Sequence, residues 1–365
     1  MRVPRWLIAV GVILAGAGGG LYWLALPPES LTVASWGDAY GRAQTLALFH
    51  PYTDTSGVTV AVRNYGGGLK EIAEQVESRN YEWDVVDLEL EDAAAGCRQG
   101  LLEKLDGIQL PPGIDGSAAR RDFVPGALGP CWVGSMVYSQ VIAFDPRRFA
   151  ENRPRSLADF FNLAQFPGPR GLREGPKYNL EMALIADGVQ PWRVYPALTT
   201  GNGLDRAFAK LDTIKSAIVW WKRVSEPVDM LERGELAMTT GLNSRVFSIA
   251  AEPRFGTIWE GQLYQLDVFG IPMGSPNKER GLDFIRFATG ARPLAGQSEL
   301  LPYGPARRSS IRLVGRNPEM RRHLPTAPEN FSKALAIDPD WWAANGARIE
   351  ARWAEWSKAE PAESR

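Results

Sequence analysis

The chain has 365 residues, of which 45% are apolar and 23% charged, a composition typical of a globular protein with two lobes or domains. Its 41 Lys and Arg residues almost balance its 42 Asp and Glu residues, which excludes the strong positive charge expected of a nucleic-acid-binding protein. The two histidines leave little room for a zinc site or for histidine-based acid–base chemistry.

The N-terminal region has the pattern of an export signal. Arg2 and Arg5 precede an apolar run at residues 6–26, and the first acidic residue is Glu29. This run is about 20 residues long, which is enough to cross a bilayer, and no small-x-small cleavage site follows it. We therefore interpret residues 1–30 as a signal peptide or an N-terminal membrane anchor, and both alternatives remain open.

Export would carry the chain to an oxidising compartment, in which cysteines can pair. Cys97 and Cys131 are the two cysteines of the sequence, so a single disulfide is predicted. Two separate buried thiols are the alternative. Closing this loop would add roughly 3 to 4 kcal/mol to the free energy of unfolding.

The first part of the chain alternates strands and helices. The predicted elements are a strand at residues 31–35, a helical stretch to residue 50, a strand at 58–62, a helix with its apolar face at 69–76 and a strand at 83–88. This order predicts a mainly parallel sheet with helices on both faces, in which ligands bind beyond the carboxyl ends of the strands. Trp36 and Tyr40 follow the first strand, and Asp87 and Glu89 follow the third, so these four side chains are expected near one crevice.

A second set of α/β elements follows. It comprises a strand at residues 137–145, a helix at 204–211, an apolar run at 218–221 and a short strand at 236–240. A further helix is predicted at 279–288, continuing toward Tyr303. A C-terminal helix that packs on the body of the protein is predicted from an apolar stripe made of Trp342, Ile349, Trp353 and Trp356.

The stretch from residue 258 to 273 places one carboxylate, Asp267, in an apolar and aromatic run. An unpaired buried charge is costly, so such a residue is paired, lies at a strand end or faces a cavity. Rings around a carboxylate suit a desolvated organic ammonium, and several of the 13 tryptophans lie on predicted loops. These are Trp36, Trp132, Trp192 and Trp259. For each one alone, packing in the core is the simpler explanation, so the hypothesis rests on the group.

Known catalytic and cofactor motifs are missing from the sequence. The glycines at 66–68 lack the downstream Gly-Lys-Ser/Thr of a phosphate-binding loop, and no Gly-x-Ser-x-Gly nucleophile motif occurs. The acidic string at 84–92 lacks the spacing and the glycine of a calcium loop. No cofactor or metal is therefore predicted, and no recognisable nucleophile–base pair supports an exported enzyme.

Several short motifs follow one another along the chain in a characteristic order. They are Ser35-Trp36 with Tyr40, the strand at 81–86, Trp132-Val-Gly, Leu236-Ala-Met, the segment 266–272 and Asn277-Lys-Glu. Together they resemble the extracellular solute-binding proteins of ABC importers, and particularly the spermidine/putrescine-binding branch, over residues 31 to 312. The resemblance implies the α/β periplasmic-binding-protein fold, in which two lobes joined by crossing strands close on a ligand by hinge bending.

The resemblance also implies how the chain is divided. A discontinuous first lobe would comprise residues 31–142 and 268–365, including the C-terminal helix, and a second lobe would comprise residues 143–267. The expected protein is a periplasmic monomer, free or anchored to the inner membrane, that delivers a small solute to an ABC permease in that membrane.

Some positions match the polyamine-binding branch and others depart from it. The matched positions are Trp36 for its first-strand tryptophan, Asp267 for its amine-binding aspartate and Tyr303 for its late tyrosine. Where those proteins carry an acidic pair, this chain has Lys177 followed by Tyr178. Where they carry a tryptophan after a strand of the second lobe, this chain has Thr240, followed by Asn243 and Arg245. A long polycation held at both ends is therefore not expected.

These departures predict a small zwitterion or amine-bearing acid. Its ammonium group would be held by Trp36 and Asp267 with Asp87 or Glu89. Arg245, assisted by Lys177, would hold a carboxylate at the other end through a bidentate contact; the alternative is that Arg245 pairs with a structural carboxylate. The full set of predicted ligand-binding residues is Trp36, Tyr40, Asp87, Glu89, Tyr178, Asn243, Arg245, Asp267 and Tyr303.

The function predicted from these observations is that of a non-enzymatic receptor for a small amine-containing solute, either polyamine-like or zwitterionic. A membrane-anchored sensor with the same fold is a second hypothesis, which an uncleaved N-terminal segment would favour. Binding of an anion or a metal is a third, although the adjacent tyrosine pair expected of an iron binder is missing.

Overall fold

The computed structural model describes residues 29–149, 151–250, 255–314, 318–331 and 333–358. The predicted export segment, as far as residue 28, lies outside the described residues. In the part that is described, no helix is both long enough and apolar enough to cross a membrane.

Ten β-strands in the described residues form one mixed sheet. They are β1 (Ser30–Ser35), β2 (Thr59–Asn64), β3 (Val85–Glu89), β4 (Val133–Phe144), β5 (Arg170–Arg173), β6 (Ile218–Trp221), β7 (Met238–Leu242), β8 (Gly256–Gly270), β9 (Gly304–Pro305) and β10 (Leu335–Ala336). The order across the sheet is β2-β1-β3-β8-β4-β7-β5-β6, with β9 paired to β4 and β10 paired to β8. The outer strands are parallel to their neighbours in both halves, as the alternation of strands and helices predicts.

Helices fill the connections between the strands. They are α1 (Asp38–Gln44), which continues through a π-helical turn (Thr45–Phe49) into α2 (His50–Ser56), α3 (Lys70–Ser78), α4 (Leu90–Arg98), α5 (Ala119–Asp122), α6 (Leu157–Phe160), α7 (Asn179–Ala186), α8 (Val194–Leu198), α9 (Gly201–Asp212), α10 (Glu226–Glu232), α11 (Asn243–Ala250), α12 (Lys278–Ala288), α13 (Ala291–Leu300), α14 (Ile311–Val314), α15 (Pro318–Arg321), α16 (Pro328–Phe331) and α17 (Pro339–Lys358). Short 3₁₀ turns occur at Pro146–Phe149, Pro191–Arg193, Lys215–Ala217 and Arg308–Ser310. The apolar stripe predicted for α9 is buried, because residues at this spacing share one face of a helix.

Two long antiparallel strands, β4 and β8, stand at the centre of the sheet and join its halves. β4 has 12 residues and β8 has 15. β8 pairs with β3 on one side and with β4 on the other, and β4 pairs in turn with β7. Because these two strands belong to both halves of the sheet, the predicted crossing-strand connection is confirmed.

Each half of the molecule has its own large apolar core. The first core contains Leu31, Val85 and Leu88 from the first parallel strands together with Phe269 and Phe284. The second is built from buried side chains of the later elements, among them Phe160, Leu180, Phe208 and Leu211. Two separate cores are what two lobes require, since each lobe must bury its own apolar surface.

The C-terminal helix, which the sequence analysis expected with the first lobe, packs its apolar stripe against the second core. The stripe of α17 packs into the second core, where Trp353 and Trp356 contact Phe208. The indole of Trp342 donates a hydrogen bond of 2.8 Å to the buried carboxylate of Glu181 on α7. Just before this helix, β10 pairs with Leu263 and Tyr264 in the middle of β8, and Leu335 and Ile337 beside that pairing are part of the second core.

The predicted disulfide between Cys97 and Cys131 is present, with the two Cα atoms 5.8 Å apart. Cys97 lies near the end of α4, and Cys131 lies two residues before β4 begins. The bridge closes a loop across a sequence separation of 34 residues. It therefore ties the start of a crossing strand to a helix of the first lobe.

We expect the double variant Cys97→Ser, Cys131→Ser to lose about 3 to 4 kcal/mol of unfolding free energy, because its unfolded chain regains the entropy that the cross-link removes. Urea unfolding followed by tryptophan fluorescence would measure the loss. Reductant should destabilise the wild-type protein by a similar amount and leave the variant unchanged. A variant as stable as the oxidised wild-type protein would contradict a stabilising role for the disulfide.

Candidate functional site

Three carboxylates from two neighbouring strands lie on one face of the sheet. Asp267 on β8 is the direct partner of Glu89 on β3, and Asp87 lies two residues before Glu89. Side chains of direct partners, and side chains two residues apart, point to the same face. Asp87 is fully buried and Asp267 is 5% exposed. None of the three forms an ion pair with any residue that the structure describes.

A series of hydrogen bonds orients the side chain of Asp87. Ser35 Oγ donates to Gln44 Oε1, and Gln44 Nε2 donates to Asp87 Oδ2 at 2.5 Å. The second carboxylate oxygen, Asp87 Oδ1, is buried and has no hydrogen-bond partner among the described residues. These bonds therefore fix the orientation of the carboxylate and leave one of its oxygens without a hydrogen-bond partner among the described residues.

A β-bulge supports the backbone beside Asp267. The pairing of β4 with β8 shifts register between Gly134 and Met136, which makes Ser135 the extra residue. Ser135 Oγ donates a hydrogen bond of 2.9 Å to the main-chain oxygen of Asp267. Bulges bend a strand locally and change the direction of nearby side chains. This bulge anchors β8 at Asp267 without occupying the carboxylate.

Burial without a cation raises the pKa values of these carboxylates. Burial raises the pKa of Asp87 from an ordinary value of 3.8 to about 7. Burial, followed by the charges of Asp87 and Glu89, raises the pKa of Asp267 well above its usual range. The hydroxyl of Tyr40 counteracts both increases, although it lies outside regular hydrogen-bond geometry. A bound cation would relieve the whole group, because an opposite charge favours the ionised form of each carboxylate.

A cavity of about 220 Å³ opens onto two of these carboxylates, Glu89 and Asp267. It is lined by Trp36, Tyr40, Glu89, Tyr138, Leu242, Asp267 and Tyr303. The ring of Tyr303 packs edge-on against Tyr40 and Tyr138, with centroid distances of 5.4 and 6.4 Å. Trp36 Nε1 and the Tyr40 hydroxyl are buried without hydrogen-bond partners in the described part of the chain. Carboxylates surrounded by aromatic faces suit an organic ammonium, which gains both Coulomb and cation–π energy there. We call this cavity the amine cavity.

A second cavity, of about 420 Å³, adjoins the amine cavity and contains Arg245. The two cavities share the walls formed by Trp36, Tyr40 and Tyr303. Arg245 lies in the first turn of α11, is exposed, and forms no ion pair with a described residue, including Asp38 in the same cavity. Its charge lowers the pKa of Tyr303, against the larger effect of burial. The guanidinium is therefore close to the shared wall and available to an anion.

A third cavity, of about 370 Å³, adjoins the amine cavity through a different set of residues. Glu89, Tyr138 and Leu242 form the wall between them. Tyr178 lines this third cavity, and its hydroxyl accepts a hydrogen bond from the side-chain amide of Gln265. The crevice thus continues from the Arg245 cavity through the amine cavity into a chamber lined largely by the second lobe.

Two residues considered in the sequence analysis are occupied elsewhere. Asn243 is buried; its Oδ1 accepts a hydrogen bond from the main chain of Ser139, and its Nδ2 donates to the main-chain oxygen of Pro302. It therefore connects β4 to the segment that precedes β9. Lys177 forms an ion pair with Glu91 at the start of α4, so its ammonium already has an anionic partner.

Sequence reasoning missed Tyr138 and Gln265, which complete the wall next to the carboxylates. Tyr138 and Gln265 are direct partners across β4 and β8, and the Tyr138 hydroxyl donates to Gln265 Oε1 at 3.0 Å. Tyr138 also acts on Glu89, whose raised pKa it lowers against the effect of burial. Alternation along β8 puts Gln265 on the same face as Asp267, so the orientation of Gln265 could have been predicted from the sequence. The register in which β4 pairs with β8, which brings Tyr138 to this wall, could not.

Two α/β lobes are joined by β4 and β8, and charges that have no ion-pair partner among the described residues face the crevice. These features define a two-lobed ligand-binding protein of the periplasmic-binding type. The chain belongs to the bacterial extracellular solute-binding protein family, whose model matches residues 47–323. It is 37% identical over 330 residues to the gamma-aminobutyric acid-binding protein of Pseudomonas aeruginosa, covering 90% of this chain and 91% of that protein.

Solved structures agree with this membership. An ABC transporter substrate-binding protein from Bradyrhizobium japonicum is 32% identical, with a TM-score of 0.77 over 90% of this chain and 100% of that one. The GABA receptor Atu4243 is 29% identical, with a TM-score of 0.73 over 92% of this chain and 100% of that one. The Streptococcus pneumoniae spermidine/putrescine-binding protein PotD, at 13% identity and a TM-score of 0.67 over 90% and 100% of the two chains, shares the fold.

We expect the ligand-free protein to lose stability through Asp87 as the pH rises from about 4 to 7. In that window the folded carboxyl keeps a proton that the unfolded chain has released, so the free energy of unfolding falls with rising pH. Asp87→Asn should remove this contribution. At pH 8 the ligand-free variant should be about 1 to 3 kcal/mol more stable than the wild-type protein, because it buries no unpaired charge.

Urea unfolding of both proteins at acidic and at alkaline pH measures the effect. Asp54→Asn is a matched control, because Asp54 is an exposed carboxylate on α2, away from the crevice. If the free energy of unfolding of Asp87→Asn depends on pH in the same way as that of the wild-type protein, ionisation of Asp87 does not destabilise the folded protein.

Proposed function

We propose that the protein binds a small zwitterion in the crevice between its lobes, with γ-aminobutyrate or a close analogue as the ligand, and delivers it to an ABC permease. The observation that carries the proposal is that two oppositely charged sites lie on either side of one aromatic wall. On one side lies a buried cluster of carboxylates and on the other lies Arg245, and among the described residues neither has an ion-pair partner. In this proposal the protein acts as a receptor without catalytic activity.

The proposed binding site for the ammonium group of the ligand is the amine cavity. Asp267 and Glu89, which line this cavity, would accept hydrogen bonds from the ammonium, and Trp36 and Tyr303 would present ring faces or edges around it. Removing one partner from a buried charge pair typically costs 2 to 5 kcal/mol, so each of these carboxylates would contribute strongly to affinity. Filling the cavity with a cation also removes the repulsion between Asp267 and its two acidic neighbours.

The proposed binding partner for the carboxylate group of the ligand is Arg245. A guanidinium binds a carboxylate through two parallel hydrogen bonds, which fixes direction as well as charge. In this proposal a short chain between the two charged groups passes along the wall that the two cavities share. The name of the Pseudomonas aeruginosa relative and that of the Atu4243 structure both specify gamma-aminobutyric acid or GABA, which supports a short ω-amino acid over a polyamine.

The lobes would close on this ligand by bending at the crossing strands. We propose that residues 31–142 and those from 268 to the segment before β10 move as the first lobe, and that residues 143–267 with α17 move as the second. Ligand favours closure only if it binds the closed form better than the open one. Trp36 and Glu89 of the first lobe and Arg245 of the second lobe satisfy this condition, because a zwitterion bound between them would bridge both lobes.

A periplasmic location follows from the same proposal. Membership of an extracellular solute-binding family supports export, and the disulfide between Cys97 and Cys131 supports an oxidising compartment. The apolar residues 6–26 would direct that export.

Titration calorimetry with γ-aminobutyrate, putrescine and spermidine tests the proposal on protein from which bound ligand has been removed by unfolding and refolding. We expect γ-aminobutyrate to bind more tightly than either polyamine. Asp267→Asn should weaken all amines by at least about 30-fold. Arg245→Gln should weaken γ-aminobutyrate by about 10- to 150-fold, the range of a hydrogen bond to a charged group, and should not weaken putrescine.

Two exposed positions provide matched controls. Arg63→Gln removes a guanidinium from β2, and Glu77→Gln removes a carboxylate from α3, both outside the three cavities. Neither should change affinity for any of the three compounds. Tight spermidine binding that Arg245→Gln leaves intact would overturn the zwitterion assignment and restore a polyamine as the ligand.

A further inference from the structure

The third cavity of the crevice has polar groups that the proposed zwitterion does not use. It has a volume of about 370 Å³ and is separated from the amine cavity by Glu89, Tyr138 and Leu242. A ligand that places its ammonium on Asp267 and its carboxylate on Arg245 would leave this volume unoccupied. We refer to it as the far chamber.

Two buried side chains in the far chamber lack hydrogen-bond partners. Trp221, at the end of β6, is 1% exposed, and its Nε1 donor has no partner among the residues described. Gln140, on β4, is 4% exposed, and its amide oxygen is likewise unpaired. A buried polar group without a partner costs about 1 to 3 kcal/mol, so two in one cavity call for an occupant.

Arg173 supplies an unpaired cation to the same chamber. It is the last residue of β5, and its guanidinium lies over the ring of Tyr178, with Cζ 5.5 Å from the ring centroid. The hydrogen bond from Gln265 holds that tyrosine in place. Within the described residues Arg173 forms no ion pair, so its five donors can bind a planar anion.

The carboxylates around Arg173 are engaged elsewhere or lie at the rim. Glu174 forms an ion pair with Lys222 at 2.9 Å, and Glu91 forms one with Lys177. Glu350, on α17, is exposed, whereas Glu89 belongs to the cluster that faces the amine cavity. None of these four carboxylates neutralises the guanidinium, and an incoming anion would do so.

We propose that the far chamber is a second anion subsite, in which Arg173 and Trp221 bind a carboxylate at the end of an arm attached to the nitrogen of the ligand. Gln140 accepts a hydrogen bond from a hydroxyl or amide group on that arm. The inference rests on the proposed function for the position of the ammonium. The full-length ligand is then a secondary ammonium with one acidic arm reaching Arg245 and the other reaching Arg173.

The test compares γ-aminobutyrate with N-carboxyalkyl-γ-aminobutyrates whose second arm has two, three or four carbons. Titration calorimetry on the full chain should show at least one derivative binding about 10-fold more tightly than γ-aminobutyrate, the gain of one charge-assisted contact. Arg173→Gln should abolish that gain and leave the affinity for γ-aminobutyrate within about twofold. Arg193→Gln, an exposed arginine of the same lobe outside the chamber, should change neither value.

The outcomes separate this inference from the proposed function. If γ-aminobutyrate binds in a way that depends on Asp267 and every derivative binds more weakly, the second subsite is overturned and the proposed function stands. If a derivative binds through Arg173 while γ-aminobutyrate does not bind, the subsite stands and the short zwitterion is wrong. A derivative whose gain survives Arg173→Gln would overturn the role of Arg173, and failure of all compounds to bind would overturn both proposals.

Discussion

The repulsion among Asp87, Glu89 and Asp267 is the constraint around which the crevice is arranged. Three carboxylates on one sheet face would ordinarily be separated, paired with cations or exposed to water, because burying an unpaired charge costs several kcal/mol. Here the antiparallel register of β3 and β8 forces two of them together, and the first core lies behind them. A folded protein tolerates such an arrangement at a site where a ligand supplies the missing charge, and it sacrifices stability for binding.

The same strands that hold the charges also connect the lobes. Asp267 lies on β8, and the ring that separates the amine cavity from the far chamber, Tyr138, lies on β4. Bending of these strands would therefore move the binding groups and the lobes together. The ion pair between Lys177 and Glu91 adds a direct contact between the two lobes at the edge of the crevice. Binding and closure would be coupled, because the crevice is lined by residues of both lobes.

Much of this could be predicted from the sequence, because the signals were local. The alternating strands and helices indicated parallel sheets, and Asp267 was recognisable because one charge interrupts a long apolar run. Trp36 and Tyr40 followed from the rule that ligands bind beyond the carboxyl ends of strands. The apolar stripe of α17 correctly predicted a packed helix, since helical spacing depends only on neighbouring residues.

What could not be predicted depends on pairing between distant segments. Tyr138 joins the site through its register with Gln265, more than a hundred residues later in the chain. The position of α17 follows a pairing of two residues of β10 with β8. No local sequence pattern predicts that pairing. Likewise, the pattern around Lys177 could not reveal its pairing with Glu91, and nothing in the sequence indicated that Arg173 would form no ion pair with a described residue.

The most direct test of the central claim is to count the protons released when the ligand binds. Calorimetric titration of γ-aminobutyrate at about pH 7, in buffers with different ionisation enthalpies, gives that number from the dependence of the heat on the buffer. If the ammonium enters the carboxylate cluster, binding should lower the raised pKa of Asp87 and release part of a proton, more at pH 6 than at pH 8. A heat of binding that is identical in all buffers across this range would contradict the assignment of the cluster as the ammonium site.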